Sequence, residues 1–141
     1  MAKKRVLIVD DDPDVRAGLN IRLRASGYDT GFASDALSAV AEARKSNPDV
    51  ILLDLGLPAG DGFIVMQRLK AIPQLAVIPV IVVSARDRAA NENRALMAGA
   101  VAFFQKPFED AALLSAIRTT LGEEEPPASA TGDLKRRATD L

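Results

Sequence analysis

Asp10 and Asp11, Asp54, Ser84 and Lys106 are far apart in the chain, yet all but the last directly follow a run of apolar residues. Val6-Leu7-Ile8-Val9 runs into Asp10-Asp11, Val50-Ile51-Leu52-Leu53 into Asp54, and Val80-Ile81-Val82-Val83 into Ser84. Lys106 follows Val101-Ala102-Phe103-Phe104 after a single intervening residue. Buried parallel strands read as continuous apolar runs, and ligands in such sheets bind beyond the carboxyl ends of the strands. The five side chains would therefore meet on one rim. Two carboxylates ~4 Å apart repel by about 4 kcal/mol at an effective dielectric of 20. Three in one cleft must hold either a proton or a cation. An all-oxygen site with room for water suits Mg²⁺. A cation and a lysine beside an aspartate suit phosphoryl transfer, which depends mostly on positioning and charge neutralisation. Asp54 is then the candidate nucleophile, and Ser84 a hydrogen-bond partner for a phosphoryl oxygen.

Composition narrows the alternatives. The chain of 141 residues has the length of one ordinary domain. It carries 18 Lys and Arg against 19 Asp and Glu, a net charge of −1, so no whole-chain charge draws it to nucleic acid or an anionic membrane. Hydrophobic residues make up 48 %, which favours a buried core over disorder. There is no cysteine and no histidine. Thiol nucleophiles, thiolate metal sites, histidine triads and a phosphohistidine-carrier role are excluded. The longest apolar stretch, Leu75 to Val83, is short and contains Pro79, so no transmembrane helix is expected. The four-residue apolar run after the N-terminal basic residues is too short for a signal peptide, which makes the cytoplasm the expected location.

The elements that must position these residues alternate. Besides the four apolar runs, Tyr28 to Phe32 reads as a weaker strand at a sheet edge, because it contains Asp29 and Gly31. Asp12 before Pro13 reads as an N-cap rather than a ligand, and Val15, Leu19 and Leu23 repeat at helical spacing up to Gly27. Ser34 is expected to cap a second helix with Leu37, Val40 and Ala41 on one face, ending at Asn47-Pro48. Asp61 or Gly62 opens a third, with Val65, Met66 and Leu69 inward. A fourth, about 87–98, is strongly polar with a thin apolar stripe; it reads either as a merely solvated face or as a weakly anchored helix able to shift. A fifth starts near Phe108 and repeats Leu114, Ile117 and Leu121 before Gly122. The pattern is (βα)₅: a parallel sheet with helices on both faces and right-handed crossovers. Residues 1–122 form the expected domain. Residues 123–141 read as a linker-like tail, a short helix or disorder, whose Lys135-Arg136-Arg137 triplet reads as a solvated face.

The segments Val6 to Pro13, Asp49 to Pro58 with Asp61-Gly62, Ser84-Ala85 and Lys106-Pro107-Phe108 together resemble the receiver domain of two-component response regulators, over roughly residues 4–121. The resemblance implies a flavodoxin-like doubly wound fold with strand order 2-1-3-4-5. It implies that Asp54 takes a phosphoryl group from a histidine kinase or a histidine phosphotransfer protein in a phosphorelay. Asp10, Asp11, Asp54 and the Gly56 carbonyl would hold Mg²⁺. Ser84 would follow the phosphoryl group, Lys106 would pair with it, and the bond to Pro107 would be cis. Phe103 stands at the aromatic switch position but has no hydroxyl to read. The side-chain-free Gly56 and Arg86, two residues past Ser84, would govern water access to the phosphoaspartate. The implied output is contact with a downstream protein, with a homodimer through the face of the fourth helix, fifth strand and fifth helix as a further option. Neither direct nucleic-acid binding nor membrane contact is implied. Such a domain is not a turnover enzyme, and it stands alone or within a longer protein.

Two other readings remain. A Mg²⁺-dependent phosphatase resembling the haloacid dehalogenases also uses aspartate, a hydroxyl, lysine and Mg²⁺, and Asp10-Asp11-Asp12 contains its Asp-x-Asp. It would place the nucleophile after the first strand, leaving Asp54 without a task, and the chain has no room for a substrate cap. A phosphorylation-independent scaffold is the third.

Overall fold

The computed structural model describes residues 3–58 and 61–123. Along these residues run β1 (Arg5–Val9), α1 (Pro13–Ala25), β2 (Asp29–Ala33), α2 (Ala36–Ser46), β3 (Val50–Leu53), α3 (Gly62–Lys70), a short α4 (Pro73–Ala76), β4 (Val80–Ser84), α5 (Arg88–Met97), β5 (Ala102–Gln105) and α6 (Asp110–Thr120). The five strands pair in parallel in the order β2-β1-β3-β4-β5. This is the doubly wound (βα)₅ sheet expected from the sequence, with the Tyr28 to Phe32 region as an edge strand. The short α4 is an addition the sequence reading did not contain; Pro73 occupies its first turn, where its missing N–H is harmless.

The period-2 alternation of strand side chains sorts the apolar residues into two layers. Val6, Ile8, Val50, Leu52, Ile81 and Val83 point to one face, where they pack with Leu19 and Leu23 of α1 and Leu113 and Ile117 of α6. Leu7, Val9, Ile51, Leu53, Val82 and Phe103 point to the other, against α2, α3 and Ala95 of α5. All four residues of β3 are buried, and its carboxyl end leads straight into Asp54. Each such aliphatic side chain contributes about 1.5–3 kcal/mol when fully buried, so the strand ends that carry the polar residues are firmly fixed.

Helix ends follow the sequence in part. Asp12 caps α1, accepting from the N–H groups of Asp14 and Val15, and Asp61 caps α3, accepting from Phe63 and Ile64. The cap of α2 is Asp35, not Ser34; Asp35 and Ser38 form a reciprocal capping box, in which carboxylate and hydroxyl each accept from the other's main chain. The buried stripe of α2 is Ala36, Ala39 and Ala43, with Val40 beside it. Leu37 and Ala41 face outward, Leu37 being 64 % exposed. Small side chains let this helix lie close to the sheet, and Leu37 would not fit beneath it. α6 buries the expected Ile117 together with Leu113, while Leu114 and the C-cap residue Leu121 are only partly covered. β5 begins at Ala102 rather than Val101 and is the other sheet edge, so its burial is partial. The expected tail lies outside the described residues from 124 onward.

Candidate functional site

Three strands deliver three polar residues to one end of the sheet, and all three are buried: Asp10 after β1, Asp54 after β3 and Ser84 closing β4. Main-chain bonds hold them in register. Asp10 N–H donates to Ala33 O at 3.1 Å, Asp54 N–H to Val9 O at 2.9 Å, and Lys106 N–H to Ser84 O at 2.8 Å. Asp10, Asp11 and Asp54 each bring one carboxylate oxygen to within 4.8 Å of the others. Two full charges at that separation repel by about 3.5 kcal/mol at an effective dielectric of 20. Lys106 partly offsets this. Its Nζ lies 2.6 Å from Asp10 Oδ2 and 3.9 Å from Asp54 Oδ2. Burial nevertheless pushes the Asp10 carboxyl above its usual value; the bond from Lys106 and the Asp12 N–H oppose the rise, and the nearby Asp54 adds to it. Asp11 is exposed, so this cluster has a dry wall and a wet one. Hard oxygen donors with open access to water are what Mg²⁺ takes, and the donor set therefore fits that ion.

The remaining site residues are also placed. The Gly56 N–H donates to Asp54 Oδ1 at 3.2 Å, and no atom lies within 4 Å of where a Gly56 side chain would begin. Ser84 Oγ accepts from the Arg86 N–H at 3.1 Å, and the Arg86 guanidinium lies 3.7 Å from Asp61. The loop after β4 is thus tied to the start of α3. The Lys106-Pro107 bond is cis. The Phe103 ring is buried on the α2–α3 side, while its carbonyl accepts from Arg88 of α5 at 3.1 Å.

The thin apolar stripe expected for the polar helix is observed: Ala95 is the buried residue of α5. Its other anchors are polar. Arg88 N–H donates to Gln105 Oε1, and the Arg94 guanidinium sits 3.8 Å above the Phe63 ring. Arg16, which no motif in the sequence marks, donates from Nη1 to Asp10 O at 2.7 Å. The role of Gly62 goes beyond opening a helix. Gly62 packs directly on the loop after Asp54: an added Cβ would lie 2.6 Å from Asp54 O and 2.8 Å from Leu55 Cα.

Comparison with known proteins adds a second line. The profile described as the response regulator receiver domain matches residues 6–118. The DNA-binding dual master transcriptional regulator RpaA of Synechocystis is 38 % identical over 83 % of this chain and 48 % of its own. The transcriptional regulatory protein PrrA of Mycobacterium tuberculosis is 36 % identical over 92 % of this chain and 54 % of its own. The chain therefore spans about half the length of these curated relatives. Among solved structures, the Vibrio cholerae chemotaxis protein CheY4 superimposes with a TM-score of 0.79 at 28 % identity, over 85 % of this chain and 100 % of its own. The receiver domain of the Pseudomonas aeruginosa sensor histidine kinase PA1611, with magnesium in its active-site cleft, gives 0.79 at 28 % identity, over 86 % and 100 %. No helix among the described residues is long and apolar enough to cross a membrane.

Proposed function

Because the chain belongs to the response regulator receiver domain family, the signalling domain of two-component systems, we propose that Asp54 is its phosphoryl acceptor, with Asp10, Asp11 and Asp54, and the Gly56 carbonyl, as the Mg²⁺ ligands. The observation that carries this reading is the position of the Asp54 carboxylate within 4.8 Å of two others and 3.9 Å from Lys106, at the end of a fully buried strand.

One Asp54 oxygen attacks the phosphorus of a partner's phosphohistidine. The new O–P bond forms as the P–N bond breaks, and the electron pair goes to the imidazole nitrogen. The donor histidine must come from another protein, since this chain has none. Bound Mg²⁺ would supply charge neutralisation to the transferring phosphoryl oxygens. Lys106, now shared unequally between Asp10 and Asp54, pairs with a phosphoryl oxygen once Asp54 carries it. Ser84 turns its hydroxyl to the same group. Its bond from the Arg86 N–H is then lost, which passes the change to the loop before α5. Differential contacts of this kind to the phosphoryl group are what shift a two-state equilibrium. The ring of Phe103 and the thinly anchored α5 are the parts that respond, and a protein target, or a second copy through the face of α5, β5 and α6, reads the result. The domain turns over nothing but its own phosphoaspartate, and it works in the cytoplasm.

The test is intact-protein mass after incubation with Mg²⁺ and acetyl phosphate. One added phosphoryl group is expected on the native chain and none on Asp54→Asn. Donor hydrolysis that survives in the variant without an adduct would instead place the nucleophile at Asp10. The sheet order and the family match both disfavour that phosphatase reading.

A further inference from the structure

We propose that Arg16 is a positioning residue for the acidic pair: its guanidinium fixes the peptide joining Asp10 and Asp11 so that both carboxylates address one cation. This rests on the reading of Asp10 and Asp11 as Mg²⁺ ligands. The turn between β1 and α1 is held at several points. The Asp10 N–H donates to Ala33 O, and the Asp12 N–H donates to Asp10 Oδ1 at 2.9 Å. Asp12 in turn caps α1. The Asp10 carbonyl is held by Arg16 Nη1 at 2.7 Å, from the first turns of α1.

That carbonyl belongs to the planar unit that also carries the Asp11 N–H. Fixing the carbonyl fixes that plane on one side of Asp11, and the Asp12 N–H bonded to Asp10 Oδ1 holds the peptide on the other, so that together they limit the direction in which the Asp11 side chain leaves the backbone. Asp11 needs this. It is exposed, and among the described residues its carboxylate makes no hydrogen bond or ion pair, so nothing but the main chain aims it. Arg16 is itself only half-buried, and its bond is to main chain rather than to a carboxylate. It acts through the residues that would touch the ion.

Charge and positioning make opposite predictions, which gives the test its force. A guanidinium near a cation site repels the cation, so its removal on charge grounds alone tightens Mg²⁺ binding. Removal of a group that orients the ligands weakens it, by 10–100-fold in typical metal sites. The experiment is isothermal titration of the metal-free protein with Mg²⁺ alone, for the native chain, Arg16→Met and Arg16→Lys, with thermal melting of each. Arg16→Met keeps the aliphatic stem and is expected to weaken Mg²⁺ about tenfold, the low end of that range for a partly solvated partner. Arg16→Lys keeps a cationic donor on a slightly shorter stem and is expected to recover part of the affinity. Unchanged or tighter binding in Arg16→Met overturns the proposal. So does equal weakening in both variants together with a fall in both melting midpoints, which would mean general loosening of the turn. A native chain that takes up no Mg²⁺ overturns the site reading itself, and the proposal with it.

Discussion

Gly62→Ala is the most direct test of how the fold holds the acceptor loop. Two effects oppose each other. Replacing glycine by alanine in a helix ordinarily stabilises by up to about 1 kcal/mol, through helix propensity and a less flexible unfolded chain. At Gly62, however, the new Cβ would stand 2.6 Å from Asp54 O and 2.8 Å from Leu55 Cα, both main-chain atoms. Carbon packs favourably at ~3.5–4.0 Å, so α3 and the loop must separate by roughly 1 Å. The Gly62 N–H also donates to Leu55 O at 2.9 Å, which resists that separation. Overpacking against a rigid wall costs about 1–3 kcal/mol. The wall should win, with a net loss of about 1–2 kcal/mol in urea unfolding. Gly18→Ala on α1 is the control. The nearest atom to its added Cβ is the flexible end of Arg22, at 3.1 Å, so it should gain about 0.5–1 kcal/mol. Because the displaced atoms belong to Asp54 and Leu55, Gly62→Ala should also slow phosphorylation by acetyl phosphate, whereas Gly18→Ala should not. A Gly62→Ala protein as stable as the native chain and phosphorylated at the native rate would refute the argument.

Other expectations concern charge and mobility. Burial raises the Asp10 carboxyl above 3.8, so its contribution to stability is present below that value and is lost as pH rises through the folded one. Above the folded value and without metal, Asp10 therefore works against folding. Asp10→Asn should raise the metal-free melting midpoint and remove the rise that Mg²⁺ produces in the native chain; a lower metal-free midpoint would contradict this. Tyr28 is raised to about 12 by burial and by its bond to Glu123. Its contribution is intact below pH 10 and is lost between pH 10 and 12, a loss that Tyr28→Phe should abolish, at a cost of about 1 kcal/mol at pH 7. Amide exchange in residues 88–97 should be faster than in α1 or α3, because α5 buries Ala95 alone; exchange as slow as theirs would show that its polar anchors suffice.

The meeting of Asp10, Asp54 and Ser84 was legible in the sequence because each stands at the end of a buried parallel strand. The same logic recovered the sheet, the edge strand at β2 and the caps Asp12 and Asp61. It failed where packing depends on size rather than polarity. Leu37 is a better hydrophobe than Ala36 or Ala39, yet close approach of α2 to the sheet favours the alanines. It failed again where a side chain binds main chain: nothing in the residue types near Arg16 marks its bond to the Asp10 carbonyl. The close contact beneath Gly62 belongs to the same class, since a glycine in the first turn of a helix looks alike whether it faces solvent or a wall.

The bond between Tyr28 and Glu123 joins residues 95 positions apart at 2.7 Å. Tyr28 sits just before β2, at the end of the sheet where the strands begin, and Asp54 sits where they finish. Strands of five residues span roughly 16 Å. Glu123, the last described residue, is thus moored at the pole of the domain opposite Asp54. A segment continuing past residue 123 does not start within touching distance of the acceptor. On the proposed role of Asp54, a change at the acceptor reaches this moored end through the body of the sheet, the way a dial reports from the far side of a clock case.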